Sequence, residues 1–231
     1  MSCTIGRMER VAWRAYALIA VALLLATAAG QQTPDSSDTS SSRAHKAASR
    51  VKVAGPDSGS MVGNTYHNAF FGFTYKVPYG WVDRTADMRE DEQPGKALLL
   101  LATFERPPEA TGDTVNSAVI ITAESVASYP GLKTAADYFG PLTELTTSKG
   151  FKVANEPYTF ASGAKQTVRG DFSKQLGTLT MQQSSLALLE KNYVVSFTFI
   201  AGSDDEINSL IENLAFGSAR SPDASKPSDK K

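Results

Sequence analysis

The sequence predicts an α/β (α+β) domain, an antiparallel β-sheet of about seven strands sandwiched between helices. Three observations carry that expectation. Apolar side chains alternate along Phe71, Phe73, Tyr75 and Val77, and again along Tyr193, Val195, Phe197 and Phe199. That is the period of two expected of strands. Residues 97–104, with four consecutive leucines, and 117–123, with Val119, Ile120 and Ile121, are apolar without alternation, as strands covered on both faces are. Ile207, Leu210, Ile211 and Leu214 have helical spacing behind the capping box Ser203-Asp204-Asp205-Glu206.

The elements follow in the order β-β-β-α-β-β-β-β-α. The first strand closes at Pro78-Tyr79-Gly80-Trp81, a turn by composition. The polar, acidic segment from Asp83 to Lys96 reads as a connection, and Pro107-Pro108 and Gly112-Asp113 mark another. Thr134-Ala135-Ala136-Asp137 is a capping box with Asp in place of Glu. It opens a helix whose face is Ala135, Tyr138, Leu142 and Leu145, closed by Gly150. Pro141 interrupts it, so either the helix bends there or Gly140-Pro141 starts a second piece. Four strands come next, over 151–160, 165–172, 179–189 and 193–200, with turns at Ser162-Gly163 and Lys191-Asn192. Their short connections imply antiparallel pairing.

Around this domain, placed at 64–217, composition changes sharply. Residues 1–30 read as a signal peptide. Arg7, Arg10 and Arg14 precede an uncharged apolar run from Ala15 to Leu25, and Ala26-Thr27-Ala28 supplies small residues for cleavage. The run is short of the roughly 20 residues that a membrane span needs. An uncleaved N-terminal anchor is the alternative reading, and in either case the arginines stay on the cytoplasmic side. The expected location is therefore exported, periplasmic or secreted, with membrane contact through the leader only. Residues 31–63 are rich in Ser, Thr, Asp and Ala and read as a disordered tether, and 218–231 as a similar tail.

Charge and cysteine content narrow the function classes. The chain has 23 basic and 24 acidic residues, a net charge of −1. The leader carries three arginines and one glutamate, so the remainder lies near −3. Nucleic acid and anionic membranes call for a basic face, so neither is the expected partner. The one cysteine, Cys3, precedes the apolar run, so the mature chain would have no disulfide, thiolate nucleophile or cysteine metal ligand.

No recognisable catalytic set emerges. His45 lies in the tether, and His67 just ahead of the first strand, where a surface or capping role suffices. Ser162-Gly163-Ala164-Lys165 matches Ser-x-x-Lys, which needs a helix start, yet it falls at a hairpin turn. Asp87, Glu90, Asp91 and Glu92 could attract Ca²⁺ but lack the spacing of a calcium loop. No cofactor or metal is implied. Trp81 reads either as a core aromatic or as a partly exposed anchor for a partner, with Tyr79 and the acidic segment as its rim.

The opening Phe71-Gly72-Phe73-Thr74-Tyr75-Lys76-Val77-Pro78-Tyr79-Gly80-Trp81 resembles the "aromatic-Gly-Phe … Pro-x-Gly-Trp" start of PsbP-like domains. The helix followed by Gly150-Phe151-Lys152-Val153 fits that family. So does the close, Tyr193-Val194-Val195-Ser196-Phe197-Thr198-Phe199, with its capped helix running to Leu214-Ala215-Phe216. The resemblance spans most of 66–217. It implies an antiparallel sheet between helices and a macromolecule-binding role. Members of the superfamily include extrinsic photosystem subunits, a Ran-binding transport factor and bacterial envelope proteins. No functional residues carry over, because no site motif is matched. The expected function is an exported, non-catalytic binding or assembly module of the bacterial cell envelope, acting on an envelope or extracellular protein. Carriage of a small ligand or metal is the alternative, and an unrecognised hydrolase the third reading.

Overall fold

The computed structural model describes residues 56–90 and 97–217. The leader, residues 31–55 of the tether, the tail, and Asp91 and Glu92 of the acidic run lie outside the described residues.

Two antiparallel sheets form the domain. The smaller has the order β1 (Ser60–Val62), β2 (Thr65–Asn68), β3 (Phe73–Lys76), β11 (Leu214–Phe216). The larger has seven strands. Its chain-order members are β4 (Val82–Asp83), β5 (Ala97–Phe104), β6 (Ala118–Ser125), β7 (Lys152–Ser162), β8 (Lys165–Leu176), β9 (Leu179–Glu190) and β10 (Tyr193–Ala201). Their spatial order is β4-β5-β6-β10-β9-β8-β7. The last four form an unbroken meander, and β10 returns to lie against β6, with Phe197 opposite Ile121. Hairpin chemistry fixes those registers. Lys191 and Asn192 both have positive φ, 51° and 66°, as a two-residue type I′ loop demands.

Helices cover both faces of the large sheet. On one face, Val119, Ile121, Val195, Phe197 and Phe199 pack against Phe73 and Tyr75 of β3 and against Ile207, Leu210 and Ile211. Those three residues belong to the final helix, Asp204–Glu212, which follows the short helix α1 (Thr85–Glu90) and α2 (Phe139–Ser148) and is therefore α3. On the opposite face, Tyr138, Phe139 and Leu142 at the start of α2 pack on Ala187 and Val194. The expected seven-stranded antiparallel sheet with helices on either side is present. The small sheet is an additional layer on the α3 side.

Several elements differ from the sequence expectation for local reasons. Thr134 and Asp137 do form a reciprocal box, with Thr134 N–H donating to Asp137 Oδ2 at 2.8 Å. It closes a turn rather than a helix, and α2 starts only at Phe139. Pro141 is then its third residue, where a missing N–H costs nothing. The second of the two alternatives for Pro141 therefore holds, and the buried face moves to Phe139, Leu142 and Thr146. Leu214 is buried as expected but lies beyond α3. The chain turns at Asn213, and Leu214 pairs with Tyr75 in β11. Ser60–Val62, placed in the tether by composition, pair with Thr65, Tyr66 and His67 of β2.

The segment 85–90 lacks apolar periodicity because its contacts are polar. Thr85 Oγ1 accepts from Ala102 N–H at 2.9 Å, and Arg84 N–H donates to Ala102 O. Arg89 Nε donates to Leu99 O at 2.7 Å and its Nη2 to Leu100 O at 3.0 Å, across the bulge in β5. Backbone groups of β5 that lack a strand neighbour are thus satisfied by the side chains of α1.

Candidate functional site

Tyr79 and Trp81 project from one turn. Trp81 N–H donates to Pro78 O, and Gly80 sits at φ +83°. A type II turn requires a left-handed residue at that third position, which glycine takes without strain. Nothing lies within 4 Å of a Cβ built on Gly80, so backbone conformation alone selects glycine there. The two aromatics of the turn differ in burial. Trp81 is half-buried and packs on the main core, as its reading as a core aromatic expects. Tyr79 is 95% exposed.

Between this turn and the end of β5 lies a cleft of about 290 Å³. Met61, Asn64, Tyr79, Trp81, Asp83 and Thr103 are among the residues that line it, and Asp83 is exposed. Met61 and Val62 of β1 are 40% and 65% exposed, so large apolar groups continue outward from the aromatic pair. Asp83 Oδ1 accepts from Thr85 N–H at 2.8 Å. Among the described residues no cation pairs with Asp83, because neighbouring Arg84 is engaged by Asp87 and Glu109. Thr103 is fully buried, and its Oγ1 has no hydrogen-bond partner.

The other sequence candidates fall elsewhere. His67 is in β2, opposite Ser60 and Thr74. Ser162 and Lys165 face each other across the β7–β8 hairpin, and Lys165 Nζ is paired with Glu190 at 2.9 Å. That is the hairpin placement expected for this Ser-x-x-Lys. Asp87 is exposed on α1 and bound to Arg84. Among the described residues no group of three or more His, Cys, Asp or Glu side chains is placed to hold a metal.

Two buried polar clusters were not visible in the sequence. Glu124 of β6 is 7% exposed, and its carboxylate accepts from the hydroxyls of both Tyr129 and Tyr138, the latter at 2.6 Å. Burial raises its pKa above the ordinary glutamate value, and the two hydroxyls only partly oppose this. The tyrosine rings meet edge-on at 5.4 Å. This cluster fastens the 126–138 connection to the sheet. The second cluster is the ion pair Arg169–Asp171 in β8, at 2.8 Å, with Arg169 also reaching Asn208 of α3 and lying over the Phe160 ring. It joins β8 to α3. Neither cluster presents two carboxylates to a common cleft.

Sequence reasoning singled out Tyr79 and Trp81 but not the groups that complete their cleft. Met61 and Asn64 lie at or next to the apparent tether, and Asp83 was absorbed in an acidic segment. A signal for Thr103 was present, since it is the one polar residue in the run Ala97 to Phe104.

No family model matches the chain, and no curated protein matches it. Solved structures with a similar chain course include the cyanobacterial PsbP of Synechocystis sp. PCC 6803. It is 17% identical, with a TM-score of 0.44, over 68% of this chain and 98% of that one. The Ran-binding protein Mog1p of Saccharomyces cerevisiae is 15% identical, TM-score 0.39, covering 67% and 84%. LpqN of Mycobacterium tuberculosis, involved in cell envelope biogenesis, is 15% identical, TM-score 0.35, covering 61% and 76%.

Proposed function

We propose that this chain is an exported, non-catalytic module that binds another protein through the surface centred on Tyr79. One observation carries the reading. Tyr79, at 95% exposure, lines a cleft with Met61 and half-buried Trp81, and Val62, next to Met61 in β1, is exposed as well. Leaving a tyrosine and two apolar side chains in water forgoes burial free energy of roughly 25 cal/mol per Å² of apolar surface. A partner that covers them recovers it. Aromatic side chains beside a preformed pocket are also the groups that dominate binding at protein interfaces. The rigid β-turn that presents Tyr79 limits the entropy lost on association.

The test places a photo-crosslinking amino acid at position 79, 62 or 176 of the full chain, expressed with its own leader. Leu176 is an exposed control on the β8–β9 hairpin. The expected result is one reproducible envelope partner captured from positions 79 and 62 but not 176. Capture should be lost in Trp81→Ala, provided that variant keeps its circular dichroism spectrum. Equal capture from all three positions, or from none, overturns the proposal.

A further inference from the structure

We infer that the chain's own segment Arg50-Val51-Lys52-Val53 folds back as an added strand on the outer edge of β1. The inference goes beyond the protein-binding reading and does not rest on it. Three observations converge on this segment.

The first is an open edge. In the small sheet β1 has a strand neighbour on one side only, β2. Val77 N–H donates to Asn64 O, so by alternation Asn64, Tyr66 and Asn68 turn their backbone groups to the β3 side. Thr65 and His67 therefore bond to Val62 and Ser60, and the N–H and C=O of Met61 point away from the sheet. Among the described residues no backbone group outside β2 bonds to β1. The strand also lacks the devices that close an edge. Ser60, Met61 and Val62 are all exposed, and none is charged or a proline.

The second is the sequence just upstream. The described chain begins at Pro56, four residues before β1. Before it, Arg50, Val51, Lys52 and Val53 alternate charged and β-branched side chains, the pattern of a strand with one wet face. Between that run and Gly59 lies Ala54-Gly55-Pro56-Asp57-Ser58, in which Gly-Pro-Asp is turn chemistry. Asp57 Oδ1 accepts from Gly59 N–H at 3.0 Å, a local bond of the kind that turns a chain.

The third is register. Val53 opposite Gly59 leaves five residues for the loop, a hairpin length. Val51 then stands opposite Met61 and exchanges both backbone bonds with it. Directly opposed side chains share a face, and Met61 is opposite buried Tyr66. Val51 and Val53 thus lie on the core side of the small sheet, beside a Met61 left 40% exposed by the rest of the domain. Arg50 and Lys52 fall on the other face with Ser60 and Val62, in water. The outermost strand then carries two cations, as natural sheet edges do. The tether meets the domain beside the Tyr79 turn, since Met61 and Tyr79 line one cleft.

The experiment uses the full chain with Cys3→Ser, so that introduced cysteines stand alone. Lys52→Cys is combined with Ser60→Cys or with His67→Cys. In the inferred register, positions 52 and 60 are a pair without mutual hydrogen bonds, Cα atoms about 4.5 Å apart and within disulfide reach. His67, opposite Ser60 in β2, is one strand further and out of reach, at about 9–10 Å. Air oxidation should close the first pair and not the second, whereas a freely moving tether reaches both. Amide exchange followed by nuclear magnetic resonance, without the added cysteines, should show Met61 N–H protected. Val51→Pro removes the donor to Met61 O and should speed Met61 exchange at least ten-fold while leaving Tyr66 unchanged. Crosslinking of both pairs alike or of neither, or Met61 exchange equally fast with and without Val51→Pro, overturns the inference. Protection lost on dilution assigns the edge to a second copy, and protection gained only with cell-envelope extract assigns it to a partner strand; either result overturns it too. Capture from position 79 is read separately, so the protein-binding proposal stands or falls on its own.

Discussion

Glu124 gives the sharpest stability test. Its carboxylate is 7% exposed and is satisfied by two neutral tyrosine hydroxyls, and among the described residues no cation is paired with it. Desolvation therefore raises its pKa in the fold. The sign of the linkage follows. A glutamate whose folded pKa exceeds its unfolded value binds protons more tightly when folded. Its contribution to stability is complete below the unfolded pKa, near 4.5. It is lost as pH rises through the folded pKa, at about 1.4 kcal/mol for each unit of elevation. Glu124→Gln keeps an acceptor for the tyrosines and removes the titration. Urea unfolding followed by far-ultraviolet circular dichroism, at half-unit steps from pH 4 to pH 8, should show the stability difference between Glu124→Gln and wild type growing in the variant's favour with pH. It should level off above the folded pKa. Tyr138→Phe deletes the 2.6 Å bond, which is worth more to the charged form. It should cost about 1.5–3 kcal/mol at pH 8 and less at pH 4. A difference between Glu124→Gln and wild type that stays flat with pH would refute the buried, uncompensated carboxylate.

Three further outcomes test the packing. A Cβ at Gly170 would stand 2.7 Å from Cε1 of Phe139, so Gly170→Ala should cost about 1–3 kcal/mol by overpacking, and Phe139→Leu in the same chain should recover part of it; urea midpoints report both. Ser203 caps α3 by accepting from Glu206 N–H at 3.3 Å, and Ser203→Ala should lower stability by about 1 kcal/mol, read from thermal unfolding. Arg89→Ala strips the side-chain donors from Leu99 O and Leu100 O and should destabilise by about 1–3 kcal/mol, with hydrogen exchange in β5 rising more than in β9.

The large sheet was legible because its strands obey simple periodicities. Phe71, Phe73, Tyr75 and Val77 are all buried, as their alternation requires, although regular pairing begins only at Phe73. The meander was legible from turn residues such as Lys191-Asn192. What stayed hidden was held by tertiary contacts. α1 has one apolar anchor, Met88, and depends on Thr85 and Arg89 meeting a strand that follows it in sequence. β11 is three residues long and takes its conformation from pairing with β3. Its end-to-end separation from β3 in sequence leaves no local signature. At the candidate site the aromatic pair was readable from one tetrapeptide. Asp83 was not, and Thr103 showed only as the one polar residue of an apolar run, because which side chains come together around a cleft is a property of the assembled fold.

The side-chain bonds from α1 to β5 have a bearing on how copies of this protein behave when crowded. A sheet propagates between molecules when its outermost strand offers free amides and carbonyls in register. On one flank, Thr85 and Arg89 occupy those groups on β5 beyond the two residues of β4. On the other, β7 contains Pro157, exposed Lys152 and Glu156, and two register breaks in its pairing with β8. On the large sheet, then, neither flank offers a neighbouring molecule an unbroken row of strand hydrogen-bonding groups, and an added strand would meet side chains, a proline or a register break first.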